Sequence, residues 1–154
     1  MTKRLFFISV ALLATASSVA GSGALAKTSP ASLKWGAGPP SLPAGAQMAV
    51  VSGDPGKAGM FTVDIKFPAG YAVPAHSHPT QETLSVLSGK VGYGMSAKLD
   101  KAKASWLTTG HDVVMKANMN HWVFADAPAE VQVSGMGPFV INYADPKDDP
   151  RNAK

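Results

Sequence analysis

Three of the four histidines in this 154-residue chain have a spacing that suits metal chemistry. His76 and His78 are separated by one residue, and Glu82 follows four positions after His78. Side chains of an extended strand alternate between faces, so His76 and His78 project to the same side. Pro79-Thr80 signals a turn, after which Glu82 opens another strand and can return beside the two imidazoles. Two neutral nitrogen donors and a carboxylate on converging strands suit a divalent transition metal. A third imidazole, His121, lies in Asn120-His121-Trp122-Val123-Phe124. Periodicity leaves open whether it approaches from another strand of a closed barrel. A His-x-His pair is also compatible with surface decoration, and the carboxylate across the turn is what favours the metal. His111, between Gly110 and Asp112, reads as a turn or surface histidine. The chain has no cysteine, which excludes a disulfide scaffold, a thiolate metal site, a cysteine nucleophile and a lipid-modified N-terminal cysteine.

The elements that must position these groups read as short strands. Charged residues make up only 16% of the chain and hydrophobic ones 45%, which argues against intrinsic disorder. Fifteen glycines and twelve prolines predict many turns and few long helices. In the clearest strand, Phe61, Val63, Ile65 and Phe67 alternate with Met60, Thr62, Asp64 and Lys66. Further strand segments are 49–52, 83–88, 91–95, 105–107, 112–115, 121–124, 131–133 and 139–143. Turn residues recur every eight to twelve positions, and no apolar period of 3.6 is sustained after the N-terminal segment; both point to an all-β sandwich or barrel. Residues 1–26 resemble an export signal: Lys3 and Arg4, an apolar run from Leu5 to Ala16, and Ala24-Leu25-Ala26 as the cleavage site, with Ala20 as the alternative. The run is diluted by Ser9, Thr15, Ser17 and Ser18, so no stable membrane anchor is expected after processing, and the mature chain is expected in the periplasm or secreted. Residues 27–46, rich in Pro, Gly, Ala and Ser, predict an extended arm anchored by Trp35. The barrel domain is expected over 47–144, and 145–154 reads as a frayed tail. The formal charge of +4 includes Lys3 and Arg4, and Lys98, Lys101 and Lys103 are interrupted by Asp100. Charge this dilute does not make a nucleic-acid surface.

Gly70, His76, His78, Glu82 and Gly89 together match the first motif of the cupins without a mismatch. The second cupin motif is matched in part, by Gly110 and His121. Lys116 replaces the usual proline, Asn118 the usual glycine, and Ala125 the usual asparagine. Asn118 can keep the turn because Asn tolerates the left-handed conformation. The resemblance implies a single antiparallel jelly-roll barrel, with His76, His78, Glu82 and His121 as metal ligands. It also implies the possibility of a homodimer formed through an exchanged N-terminal strand, for which Lys27 to Ser52 is long enough.

Three imidazoles and a carboxylate fill four positions around an ion and leave one or two for water or substrate, as in a catalytic rather than a structural site. Fe, Mn, Cu, Ni and Zn all suit this donor set. Many cupins are dioxygenases. The leading expectation is therefore a dioxygenase-like oxidoreductase acting on a small molecule that chelates the metal through oxygen. The alternative is a non-catalytic extracytoplasmic module that binds metal or a small ligand. A purely structural metal is disfavoured by the open positions. The inward phase of the strands nominates Phe61, Val63, Ile65, Leu84, Val86, Tyr93, Val123, Phe139, Ile141 and Tyr143 as pocket lining. Met95, Met115 and Met119 read as gap-fillers rather than soft copper ligands. Trp122, out of phase with His121, is expected to face away from the metal, with a subunit interface as one destination.

Overall fold

The computed structural model describes residues 32–152. The expected export signal and the start of the arm lie outside them. The strands are β1 Gly36–Ala37, β2 Gln47–Ser52, β3 Gly59–Phe67, β4 Tyr71–Ser77, β5 Glu82–Ser88, β6 Lys90–Gly94, β7 Ser105–Thr108, β8 Asp112–Met115, β9 His121–Ala125, β10 Ala129–Gly137 and β11 Asn142–Tyr143. They form two antiparallel sheets, of order β1-β2-β3-β10-β5-β8 and β11-β4-β9-β6-β7. From β3 to β11 the chain crosses to the other sheet at every connection but β6–β7. This is the jelly-roll architecture the strand pattern predicts. Among the described residues no helix is long and apolar enough to cross a membrane.

Alternation along the strands builds one core between the sheets. Phe61, Val63, Ile65 and Phe67 of β3 are buried with Val73, Leu84, Val86, Val91, Val123, Val131 and Val133. Each such side chain contributes roughly 1.5–3 kcal/mol on burial. The outward face of β3 is less uniform than its pattern suggests. Met60 is exposed, but Asp64 is buried and accepts a hydrogen bond of 2.9 Å from the Gln132 amide.

Four segments depart from expectation. β10 is nine residues long rather than three, because Gly135 and Gly137 serve close packing there rather than a turn: a Cβ on Gly137 would strike the Lys57 carbonyl. Over 139–143 only Asn142–Tyr143 is strand, since the Val140 and Ile141 carbonyls are taken by the His78 ring and the Arg151 guanidinium. Residues 145–152 are not a frayed tail. Arg151 donates to the Ile141 carbonyl (2.9 Å) and pairs with Asp149 (2.7 Å), and Asn152 donates to the Pro146 carbonyl. In the arm, the buried anchor is Leu42 rather than Trp35, which is half-buried with the Lys66 ammonium 3.9 Å above its ring.

Candidate metal centre

Strand pairing brings the histidines together. His76 near the end of β4 is the direct register partner of His121 at the start of β9. His78 lies just beyond β4, and Glu82 is the first residue of β5. The ring centroids are 4.3 Å apart for His76 and His121, 4.9 Å for His76 and His78, and 5.2 Å for His78 and His121. One nitrogen from each ring lies within 4.8 Å of the others, and all three residues are buried. The barrel thus closes the gap that periodicity left open for His121. Glu82 joins the cluster at His78, with a carboxylate oxygen 2.7 Å from Nε2. The loop before β9 is fastened to the site by the Asn118 N–H, which donates to the His78 carbonyl (2.7 Å). Asn118 has φ of 58°, the left-handed turn expected of it. His111 is exposed, its Nδ1 3.3 Å from the Thr108 hydroxyl.

The backbone fixes the orientation of all three rings. The Nδ1 atoms lie 2.7 Å from the Pro74 carbonyl for His76, 2.7 Å from that of Val140 for His78, and 2.9 Å from that of Met119 for His121. A carbonyl can only accept, so each Nδ1 carries the hydrogen, and in a neutral ring Nε2 is left as the free donor atom. The Nε2 atoms of His78 and His121 are buried without a hydrogen-bond partner. The Glu82 oxygen, though close to His78 Nε2, lies out of line with it. Buried polar atoms rarely remain unsatisfied. Lone pairs turned inward by backbone carbonyls, with a carboxylate alongside, fit a divalent transition ion.

The electrostatics agree with that donor set. Burial, reinforced by the neighbouring His121 and His78, pushes His76 down to about 3. Burial also lowers His121, against the pull of Glu82. Burial works against the charged form of His78 too, but adjacent Glu82 outweighs it and raises that ring above its ordinary value. Burial raises Glu82, yet the imidazoles, His78 foremost, hold its carboxyl below the usual range. Burial thus keeps His76 and His121 in the neutral form that can donate to an ion, while Glu82 favours the charged form of His78, so an ion at the site competes with a proton on that ring.

Beside the cluster is a cavity of about 30 Å³, bounded by Leu42, Ile65, Phe67, Val73, His76, Glu82, Leu84, Met115, His121, Val123, Val133, Phe139 and Ile141. Ile65, Leu84, Val123, Phe139 and Ile141 of the nominated residues lie on this wall; Phe61, Val63, Val86, Tyr93 and Tyr143 do not. Phe61 instead packs against Phe139, with centroids 5.0 Å apart, and Val63 and Val86 are buried in the same core without bordering the cavity. Tyr93 is half-buried against the core, and Tyr143 sits beside His76 with its hydroxyl turned to the Ser41 carbonyl. Leu42, Phe67, Val73, Met115 and Val133 were not nominated. Phe67 is the next inward position after Ile65, and Val133 the inward partner of Leu84, so the alternation could have supplied both. Met115 fills the wall opposite Glu82, its register partner. Met95 is exposed, and Met119 serves the site through its carbonyl. Trp122 does face away from the histidines, but a loop of the same chain covers it. Its indole donates to the Ser96 hydroxyl (2.9 Å), and Leu99 and Ala104 pack against its cluster.

No protein-family model and no curated protein matches the chain. Solved structures do. An RmlC-like cupin from Shewanella frigidimarina NCIMB 400 superposes with a TM-score of 0.51 at 14% identity, covering 60% of this chain and 76% of the other. This chain has a cupin fold. The polyketide cyclase RemF of Streptomyces resistomycificus aligns with the cupin barrel at a TM-score of 0.57 and 14% identity, over 69% of this chain and 75% of the cyclase. A protein of Methylibium petroleiphilum PM1 assigned as an acetylacetone dioxygenase gives 0.59 at 20% identity, over 77% and 79% of the two chains. Identities this low describe a shared cupin barrel, on which many chemistries are built.

Proposed function

We propose that this cupin holds one divalent transition ion through His76, His78, His121 and Glu82 and is a dioxygenase-like oxidoreductase of small molecules that chelate through oxygen. The observation that carries the reading is the set of three inward Nε2 atoms whose Nδ1–H groups are all committed to backbone carbonyls. Held there, such an ion supplies Lewis-acid catalysis and, if redox-active, a means of handling O₂. The chain's own groups orient the donors, exclude bulk water and, through the Glu82 carboxylate, set one negative charge beside the three imidazoles. Three neutral imidazoles and one carboxylate leave a divalent ion with a net charge of about +1. Apart from the ligands, no wall residue is polar. An uncompensated charge in such surroundings is costly, so the site favours a monoanionic oxygen ligand such as an enolate or catecholate. The fold likeness to the protein assigned as an acetylacetone dioxygenase is in keeping with that class.

The N-terminal pattern supports work outside the cytoplasm, and cell fractionation showing a processed periplasmic or secreted form would establish it. For the chemistry, the processed protein is loaded in turn with Fe, Mn, Cu, Ni and Zn, and oxygen uptake is followed with catechols and β-diketones. Uptake with one metal and one substrate class supports the enzyme. Stoichiometric metal without uptake for any pair supports the binding module instead, and a chain that retains no transition metal removes both.

A further inference from the structure

Ten of the thirteen residues around the cavity lie on barrel strands; only Leu42, Phe139 and Ile141 come from connecting segments. The space they border, about 30 Å³, has room for roughly one or two water molecules. A space of that size takes an organic molecule beside the histidines only if part of its wall moves, and these three are the wall residues outside the strands. Phe139 is stacked on the His78 ring (4.6 Å) and packed against Phe61, and the Ile141 carbonyl is held by Arg151. Leu42 is attached differently. It is the last residue of a turn that its own N–H closes by donating to the Pro39 carbonyl, within a loop whose base Gly38 closes by donating to the Ala46 carbonyl. The carbonyls on either side of it each accept a tyrosine hydroxyl: Ser41 from Tyr143 (2.9 Å) and Pro43 from Tyr71 (2.8 Å). Of the residues from 38 to 46, only Leu42 and Ala46 are buried. A segment with so little buried area opens locally at far lower cost than the barrel strands do.

We propose that residues 38–46 form a strap over the histidine cluster, with Leu42 as its plug and Tyr71 and Tyr143 as its latches, and that Leu42 limits the size of the molecules admitted. As a limit on substrate size this rests on the proposed function; as a limit on access to the histidines it does not. The strap joins the N-terminal arm to the wall of the site, so movement of the arm and exposure of the Nε2 atoms are a single event.

The test uses the metal-free processed protein treated with diethyl pyrocarbonate at neutral pH, with modification of each histidine followed by peptide mass mapping. Exposed His111 serves as the internal standard. In the wild type, His76 and His121 should react about tenfold or more slowly than His111. Leu42→Ala should raise their rates about tenfold or more and leave His111 unchanged. Leu107→Ala makes the same change at a buried position off the cavity wall and controls for general loosening. Tyr71→Phe and Tyr143→Phe keep the rings but remove the latches; they should give smaller increases, and they carry the comparison if Leu42→Ala does not fold. Unchanged cluster rates in these variants, or an equal rise in Leu107→Ala, overturn the strap. In protein loaded with cobalt(II), EDTA should extract the ion about tenfold faster from Leu42→Ala than from wild type. A wild type that binds no metal refutes the proposed function alone, and the modification ratios still judge the strap.

Discussion

Acid should destabilise the metal-free protein well above the pH at which its carboxylates protonate. Burial holds His76 near 3 in the folded chain, against 6.5 for an ordinary imidazole. An unfolded chain therefore takes up a proton below pH 6.5 that the folded chain refuses, and stability falls as pH falls through that window. Between pH 6.5 and pH 4.5 the loss from His76 alone is on the order of 3 kcal/mol, from a slope of about 1.4 kcal/mol per pH unit. His121 is shifted in the same direction and adds to it. Below pH 6.5 the other two groups do not offset this. His78 is raised, so its contribution is complete below 6.5 and is lost only as pH rises through its folded value. Glu82 is lowered, so its contribution persists above 4.5 and is lost only at lower pH. Set against a typical total of roughly 5–15 kcal/mol, the loss should move a urea midpoint by about 1 M or more. The assay is urea unfolding of chelator-treated protein from pH 7.5 to 4.5, followed by tryptophan fluorescence. His76→Gln, which cannot titrate, should remove about 1.4 kcal/mol per pH unit from the slope. A midpoint independent of pH over this range, or a full slope surviving in His76→Gln, would mean that burial does not depress the His76 imidazole.

Two further predictions concern the donors and the frame. His121→Ala should reduce retention of a divalent transition ion by about tenfold or more, measured by elemental analysis after gel filtration, with the chain still folded by circular dichroism. Gly89 has φ of 76°, and a Cβ there would sit 2.9 Å from the Pro128 carbonyl oxygen. Gly89→Ala should therefore cost more than about 1 kcal/mol in urea unfolding, whereas replacement of exposed Gly36 by Ala should stay within about 0.5 kcal/mol.

What could be read in the sequence was what the chain makes local. His76, His78 and Glu82 are near neighbours across one turn, so alternation and a turn signal suffice to gather them. His121 is forty-three positions beyond His78 and reaches the cluster only because β9 pairs with β4, a long-range fact that motif resemblance supplied and periodicity could not. Pocket lining shows where alternation stops. It separates the inward face from the outward one but does not say which inward residues border the cavity: Val63 shares a rung with Val133 and Leu84, which do, and does not itself border it. Leu42 was hidden because nothing in a Pro- and Gly-rich arm says which of its large apolar side chains docks, or where. The carbonyls that orient the imidazoles carry no side-chain signature at all, since any residue at 74, 119 or 140 presents the same oxygen.

The source of those carbonyls separates the three histidines. For His76 and His121 the acceptor is two residues earlier on the same segment, at Pro74 and Met119. For His78 it is Val140, sixty-two residues later, in the stretch between β10 and β11. That stretch is fixed next door, where Arg151, paired with Asp149, donates to the Ile141 carbonyl. Removing the guanidinium should therefore loosen the orientation of one ring and leave the other two alone. In nitrogen-15 spectra of the wild type, three imidazole Nδ1–H groups bonded to carbonyls should give protected, downfield resonances. In Arg151→Ala the His78 resonance should broaden or exchange faster while those of His76 and His121 persist. Metal affinity should fall several-fold, because a donor that must be oriented on binding gives back part of its interaction energy as lost entropy. Arg151 is itself exposed, so the chain should stay folded by circular dichroism. If all three resonances respond alike, the rings are coupled through the cluster rather than held separately. If none responds, the C-terminal turn is not what holds Val140, and orientation of His78 has to come from the stacked Phe139 ring.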